Sequence, residues 1–336
     1  MTVRVQACGK VFLAGEYAVL EPGSPALVAG IDRKLSATAG PSRQGLQLVS
    51  ASGLLWDGGT PPPELRFAAR AASLAAAYCR PRGGVRVVFE NDLAVDGRKL
   101  GLGGSAAASA LAVRSVCAVA ERAVSDEEVL ALALAAHWAE QGGSGSGTDV
   151  AAAVLGGLLE VRSRILWRSP EEAMALPPQQ LAAERPLEVR RLRPPPRLRL
   201  LLADTGAPAD TRALVREVKA FAAGDPRRWA ARAADIRAAE ESLRDALEAG
   251  DEPSSLEAVR NGAVAMSALG EEARVPIVTP ELARACALAS SAGAAGKPSG
   301  AGGGDCAVVI AFGDGGLERA EQALRPHFPV LRISPA

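Results

Sequence analysis

Three glycine-rich stretches constrain this chain more than any other feature: CGKVFLAGEYAVL (8–20), KLGLGGSAAASAL (99–111) and KPSGAGGGDC (297–306). In the middle stretch, glycines let the backbone come close to a ligand, and a helix opening near Ser105 presents unpaired N–H groups and a positive dipole end. That combination is an anion site, most naturally one for phosphates. A tight strand-to-helix turn would account for one such cluster by itself. The third stretch, with glycines at 296, 300 and 302–304, runs straight into the strand-like CAVVIAF, so it has more glycine than a surface turn needs and suits close approach to a charged ligand. The middle loop also matches G-x-G-x-x-A, with Glu121 at a tolerable distance for a ribose contact. However, DLAVDGRK separates its strand from its glycines, whereas a dinucleotide turn follows the strand at once. The pattern G-x-x-x-x-G-K-[ST] is absent. Phosphate binding here calls for a different scheme.

Charge and composition remove other classes. The 336 residues carry 38 basic and 38 acidic side chains, so the general phosphate attraction of a nucleic-acid binder is missing and no nucleic-acid partner is expected. No apolar run approaches the ~18 residues of a membrane span, and the N-terminus does not read as a signal peptide, so no membrane partner is expected. Five widely spaced cysteines without a C-x-x-C pair fit reduced thiols in a cytoplasm. Two histidines, His137 and His327, make a histidine-built zinc site improbable, and the Gly-Ser run at 142–146 ends in Ser146, so it falls short of the G-x-S-x-G of a nucleophile elbow.

Periodicity predicts a strand from Val3, an Ala-rich helix over Leu65–Tyr78, a strand over Val85–Asp92, and a helix after the middle glycines. Ser125 with Glu128 forms a capping box for a helix running to about His137. A strand is expected near Leu158–Val161. Residues 169–196, with PP and PPP and no periodicity, are expected to hold the domain junction. Beyond it come a strand in LRLLLADTG, helices over Asp210–Phe221, Pro226–Glu248, Ser254–Leu269 and Thr279–Ser291, the strand CAVVIAF, and a last strand in FPVLRIS. This order, without a strict β-α-β period, argues α+β with antiparallel sheets and flanking helices.

In order and spacing, the three stretches resemble the three motifs of the GHMP small-molecule kinases. The resemblance implies a two-domain fold, 1–190 as an N-terminal ATP-binding domain and 191–336 as a C-terminal domain, with the active site in the cleft between them and ATP and Mg²⁺ as cofactors. GEYAVLEPGSPAL and QGGSGSGTDVAAAVLGG look most like the phosphomevalonate kinases of that family, whereas mevalonate kinases usually show a GEH-type first motif where this chain has Gly15-Glu16-Tyr17.

By the family pattern, Gly101, Leu102, Gly103, Gly104, Ser105, Ala106 and Ala107 are the phosphate loop, and Lys99 is placed to reach an ATP phosphate. The family often has two serines here; this chain has Gly104 then Ser105, so Ser105 inherits the metal role. A second metal ligand from the preceding helix is weighed at Glu140, against a plain solvated charge. Asp149, which alone would read as a first-turn carboxylate, matches the acid that pairs with a lysine near the acceptor, and Lys10 is that lysine. These two are the expected catalytic residues. Lys10, Tyr17, Ser144, Ser146, Ser299, Gly300 and Ala301 are expected at the substrate, with Thr211 and Lys219 as contacts to its phosphate.

The resemblance thus implies transfer of the γ-phosphoryl of ATP to 5-phosphomevalonate, a small-molecule substrate, by a cytoplasmic monomer or homodimer. Mevalonate or another small alcohol as acceptor, a dinucleotide-dependent oxidoreductase, and a non-catalytic ligand sensor are the alternatives.

Overall fold

A computed structural model of the chain describes residues 2–91, 93–94, 98 and 100–336. Strand β1 (Val3–Ala14) leads through a 3₁₀ turn (Ala18–Leu20) into the long β2 (Pro25–Ser42). Then follow β3 (Leu46–Val49), β4 (Leu55–Trp56), α1 (Arg66–Cys79), β5 (Gly84–Phe89), α2 (Gly104–Val119), α3 (Asp126–Glu140), α4 (Thr148–Leu155), β6 (Gly157–Ser163), α5 (Pro170–Ala175), α6 (Pro178–Ala183) and β7 (Leu187–Leu192). The second half has β8 (Leu198–Asp204), α7 (Thr211–Gly224), α8 (Pro226–Ala249), α9 (Glu252–Ala273), α10 (Pro280–Ser291), β9 (Ala295–Pro298), β10 (Cys306–Phe312), α11 (Gly313–Leu324) and β11 (Val330–Ile333).

Among the described residues the first sheet has seven strands in the order β4-β3-β5-β2-β6-β7, with β1 on the other edge of β2. The second has four, β11-β8-β10-β9. Pairing is antiparallel throughout except between β3 and β5. The α+β expectation of two antiparallel sheets with flanking helices therefore holds. The sheets change over between Leu192 and Leu198, so a boundary at 190/191 falls inside β7. The proline-rich 169–196 is more ordered than its lack of periodicity predicts. Ser169 caps α5 by accepting from Glu172 N–H, and a proline opens each of α5 and α6, where a missing N–H costs nothing.

The β1–β2 pair decides where the site lies. Leu27, Ala29 and Ile31 face the second sheet, yet Leu35, Ala37 and Ala39, also odd-numbered, face the helices. Between them the register slips, from Cys8 opposite Lys34 to Gly9 opposite Ile31, and this irregularity turns the strands over. One face of the first sheet is covered by α1–α4, rich in small residues such as Ala71, Ala75, Ala106 and Ala110. From the other face Val11, Leu13 and Leu27 meet Leu200, Val308 and Ile310 of the second sheet, with Leu243 and Leu247 of α8. Helices α10 and α11 close the far side of the second sheet through Leu282, Ala285, Leu317 and Leu324.

One group in this interior is costly. Glu240 of α8 is fully buried, and neither carboxyl oxygen has a hydrogen-bond partner. Burial first, and then the negative charge of Glu160, push its pKa up to about 7, against the opposing pull of Arg244 and Arg162. Folded Glu240 therefore keeps its proton where the unfolded chain, at about 4.5, has released it. Its contribution is fully present below pH 4.5 and is lost as pH rises through 7. Glu240→Gln is expected to stabilise the protein by on the order of 2 kcal/mol more at pH 8 than at pH 5, as read by urea unfolding at the two pH values. An equal effect at both would place the Glu240 carboxyl in a polar setting.

Candidate active site

The outer edge of β1, which β2 does not pair, is where the three glycine stretches meet. Lys10 N–H donates to Leu102 O at 2.9 Å, and Phe12 N–H donates to Ser299 Oγ at 3.2 Å. The Tyr17 hydroxyl donates to Ala301 O at 2.6 Å, and the buried Lys297 ammonium bonds Glu16 and, at 2.7 Å, Pro298 O. The first motif is thus stitched to the second by backbone and to the third by side chains.

At the middle of this seam the Lys10 Nζ donates to Gly101 O at 2.7 Å. Gly103 makes room for its stem and Gly101 for the neighbouring Asp305. A Cβ on Gly103 would lie 2.7 Å from Lys10 Cγ, and one on Gly101 would lie 2.6 Å from Asp305 Oδ2. Both have positive φ, 66° at Gly101 and 78° at Gly103, which an L-residue adopts reluctantly. Gly103→Ala is expected to displace the lysine and lower turnover on the order of 10²-fold, since misplacements of about 1 Å cost that much. Steady-state kinetics checks this, and near-normal turnover would remove Lys10 from the reacting centre. Gly103 is the N-cap of α2, so the N–H groups of Gly104, Ser105 and Ala106 open at the same place, as a phosphate site requires.

The second cluster comes from α2, α3 and α4. His137, 1 % exposed, sets Nε2 3.1 Å from Ser105 Oγ and 3.8 Å from Asp149 Oδ2. Burial lowers the His137 pKa; Asp149 pulls it up, and Arg212 presses it down again. Asp149 lies in the first turn of α4, and its Oδ1 accepts from Val150 N–H at 2.9 Å.

Of the sequence-predicted residues, Lys10, Gly101 to Ala107, Ser299, Gly300 and Ala301 come together on this seam, with a Gly300 Cβ position 3.8 Å from Lys10 Nζ. Lys10 and Asp149, expected as a pair, have different partners: Gly101 O for the lysine and His137 for the acid. Tyr17 and Ala301, both expected at the substrate, bond to each other, and burial followed by the charge of Glu16 raises the tyrosine pKa. Ser144 donates to Gln141 O at 3.1 Å, and Ser146 shares a 2.8 Å bond with Thr148, both in the loop before α4. Thr211 opens α7 and Lys219 follows two turns on, both exposed. Lys99 lies outside the described residues.

Glu140 is neither a solvated charge nor turned to Ser105. It is paired with Arg70 at 2.7 Å and Arg66 at 3.8 Å, while the same helix presents His137 to Ser105 one turn earlier. Sequence reasoning missed His137, Arg212 and Asp305. A lone histidine in the apolar run VLALALAAHWAE was the available signal for the first. Asp305 follows the last glycines. Its Oδ1 accepts from Ala209 N–H at 3.1 Å, and burial holds its carboxyl above the usual range, opposed by that bond and by the Lys10 charge. Among the described residues no cluster of three or more His, Cys, Asp or Glu could hold a metal by itself. A Mg²⁺ ion carried mainly by nucleotide phosphates, with one or two protein oxygens, fits this donor set. No helix among the described residues is long and apolar enough to cross a membrane.

The chain belongs to the GHMP kinase family, a class of small-molecule kinases. The model of the GHMP kinases N terminal domain matches residues 66–157, and that of the GHMP kinases C terminal matches 243–330. The chain is 32% identical over 348 aligned residues to a phosphomevalonate kinase from Streptomyces sp. (strain CL190), covering 92% of this chain and 90% of that one. Its fold matches that of Streptococcus pneumoniae phosphomevalonate kinase in complex with phosphomevalonate and AMPPNP, with a TM-score of 0.88, 21% identity and coverage of 99% and 100% of the two chains. It also matches L. major mevalonate kinase in complex with R-mevalonate, with a TM-score of 0.73, 20% identity and coverage of 100% and 97%.

Proposed function

We propose that this chain transfers the γ-phosphoryl group of ATP to 5-phosphomevalonate, giving 5-diphosphomevalonate and ADP. The observation that carries the reading is Lys10, held by Gly101 O at the mouth of the phosphate loop, where all three glycine motifs converge. The nucleotide lies on the half that ends with β7, and the acceptor lies in the seam with the half that begins at β8. Identity to the Streptomyces enzyme along nearly the whole chain supports the choice of acceptor. Five free cysteines, Cys79 and Cys117 among them with sulfurs 2.8 Å apart, and the use of ATP support a cytoplasmic location.

The acceptor phosphate has a second pKa of about 6, so its oxygen is already a nucleophile at neutral pH. That oxygen attacks the γ-phosphorus in line, and the bond to the β,γ-bridging oxygen breaks, with ADP leaving. Lys10 neutralises and aligns the two phosphates, and the α2 N-terminus holds the nucleotide's. Asp149, beside His137, is not required to remove a proton from the acceptor. Ser105 would hold Mg²⁺ together with the nucleotide phosphates, and the ion would supply charge neutralisation there. Thr211, Lys219 and the neighbouring Arg212 stand at the start and outer face of α7, available to the acceptor's phosphate. Phosphorus NMR of the reaction mixture checks the product: coupled diphosphate-ester resonances are expected beside ADP, and an unchanged monophosphate ester would reject this acceptor.

A further inference from the structure

His137 is a polar side chain where the sequence otherwise places alanine and leucine. Its helix α3 buries Leu130, Leu132, Ala133, Leu134, Ala135 and Ala136 around it, so an apolar residue would avoid the cost of burying an imidazole. A buried polar ring needs partners, and His137 takes them from two other helices, Ser105 of α2 and Asp149 of α4. The ring of Phe67, 4.9 Å away centre to centre, restricts its orientation.

We propose that His137 is a positioning residue of the phosphoryl transfer: its Nε2–H fixes the Ser105 hydroxyl at the phosphate loop relative to the Asp149 carboxylate. The inference rests on the kinase reading above. The tautomer follows from the neighbours. A lone pair on Nε2 would face a carboxylate oxygen at 3.8 Å and be repelled, so the proton sits on Nε2 and points at two oxygens. Ser105 Oγ then accepts from the ring at 3.1 Å. Its own proton is left for a phosphate oxygen, and its second lone pair for a cation. The hydroxyl is aimed before the nucleotide arrives.

The test compares His137→Leu, which keeps the volume and removes the donor, with His137→Gln, whose amide nitrogen reaches about as far as Nε2. Loss of an outer hydrogen-bond partner of this kind costs about 10–100-fold, so His137→Leu is expected to weaken AMPPNP binding in the presence of Mg²⁺, by calorimetry, and to lower kcat by that factor. The KM for phosphomevalonate is expected to change much less, and His137→Gln to recover most of both losses. The wild-type protein supplies an arm that does not depend on the folding of a buried-site variant. With two histidines in the chain, ¹⁵N-labelled histidine gives two ring patterns, and His327→Gln assigns them. The His137 pattern is expected to be that of a neutral ring protonated at Nε2, and its Nε2 resonance is expected to shift in Ser105→Ala. An unmoved resonance, or a His137→Gln variant as impaired as His137→Leu, overturns the proposal. If wild type leaves phosphomevalonate unphosphorylated, the acceptor reading fails, while nucleotide affinity and the NMR signature still decide on His137.

Discussion

Lys10→Met is expected to lower single-turnover phosphorylation of phosphomevalonate by about 10²–10³-fold, the usual cost of losing one positioned donor to transition-state charge. The substitution keeps an unbranched apolar stem in the space that Gly103 leaves open and removes only the ammonium group, so the melting temperature is expected to stay close to that of the wild type. Asp149→Asn is expected to cost less. The acceptor oxygen is already ionised, and in this structure Asp149 lies beside His137 while Lys10 is held by Gly101 O. Quenched-flow turnover of both variants decides the matter. If Asp149→Asn is the slower of the two, proton removal by Asp149 carries the reaction, and the lysine is secondary.

The second large effect is on stability. Lys297 and Glu16 are 1% and 3% exposed at the side chain and pair across the seam between the first and third motifs. Removing one partner of such a pair leaves an uncompensated buried charge and costs about 3–5 kcal/mol. Lys297→Met is therefore expected to lower the urea unfolding free energy by that amount. Lys297→Met combined with Glu16→Leu is expected to recover most of it, because two well-packed apolar residues are often as stable as a buried ion pair. Equal losses in the single and double variants would show that packing, not charge, holds the seam. Tyr17 strengthens the same junction. Its φ of 62° costs on the order of 1–3 kcal/mol, and burial plus the bond to Ala301 keep it there.

Local signals in the sequence carried much of the fold. The Ser125–Glu128 capping box forms as expected, and Asp210, Asp225, Asp251 and Thr279 each cap the helix they precede. The glycine motifs mark the seam because glycine is required where a lysine stem or a carboxylate must pass close to backbone. Elements whose local signal was weak or contradictory were harder to read. Lys297–Pro298 opens the glycine-rich third stretch, whose composition argues for a loop, yet Ala295–Pro298 is strand β9, formed because β10 pairs with it. Helix α11 begins in GDGG, where glycines argue for a turn, and is held by Leu317, Ala320 and Leu324 against the second sheet. The site's cross-chain contacts were hidden for a different reason. His137 meets Ser105 and Lys297 meets Glu16 only after the helices and sheets have packed, and no periodicity records which buried polar residue will meet which.

ADP release by the purified protein with ATP and Mg²⁺ tests the reaction itself, comparing phosphomevalonate with mevalonate and using Lys10→Met as the control. Turnover with phosphomevalonate alone, largely abolished in Lys10→Met, is the predicted result. Turnover with mevalonate alone would contradict the acceptor and make the chain an alcohol kinase of the same family, and silence with both would contradict the reaction itself.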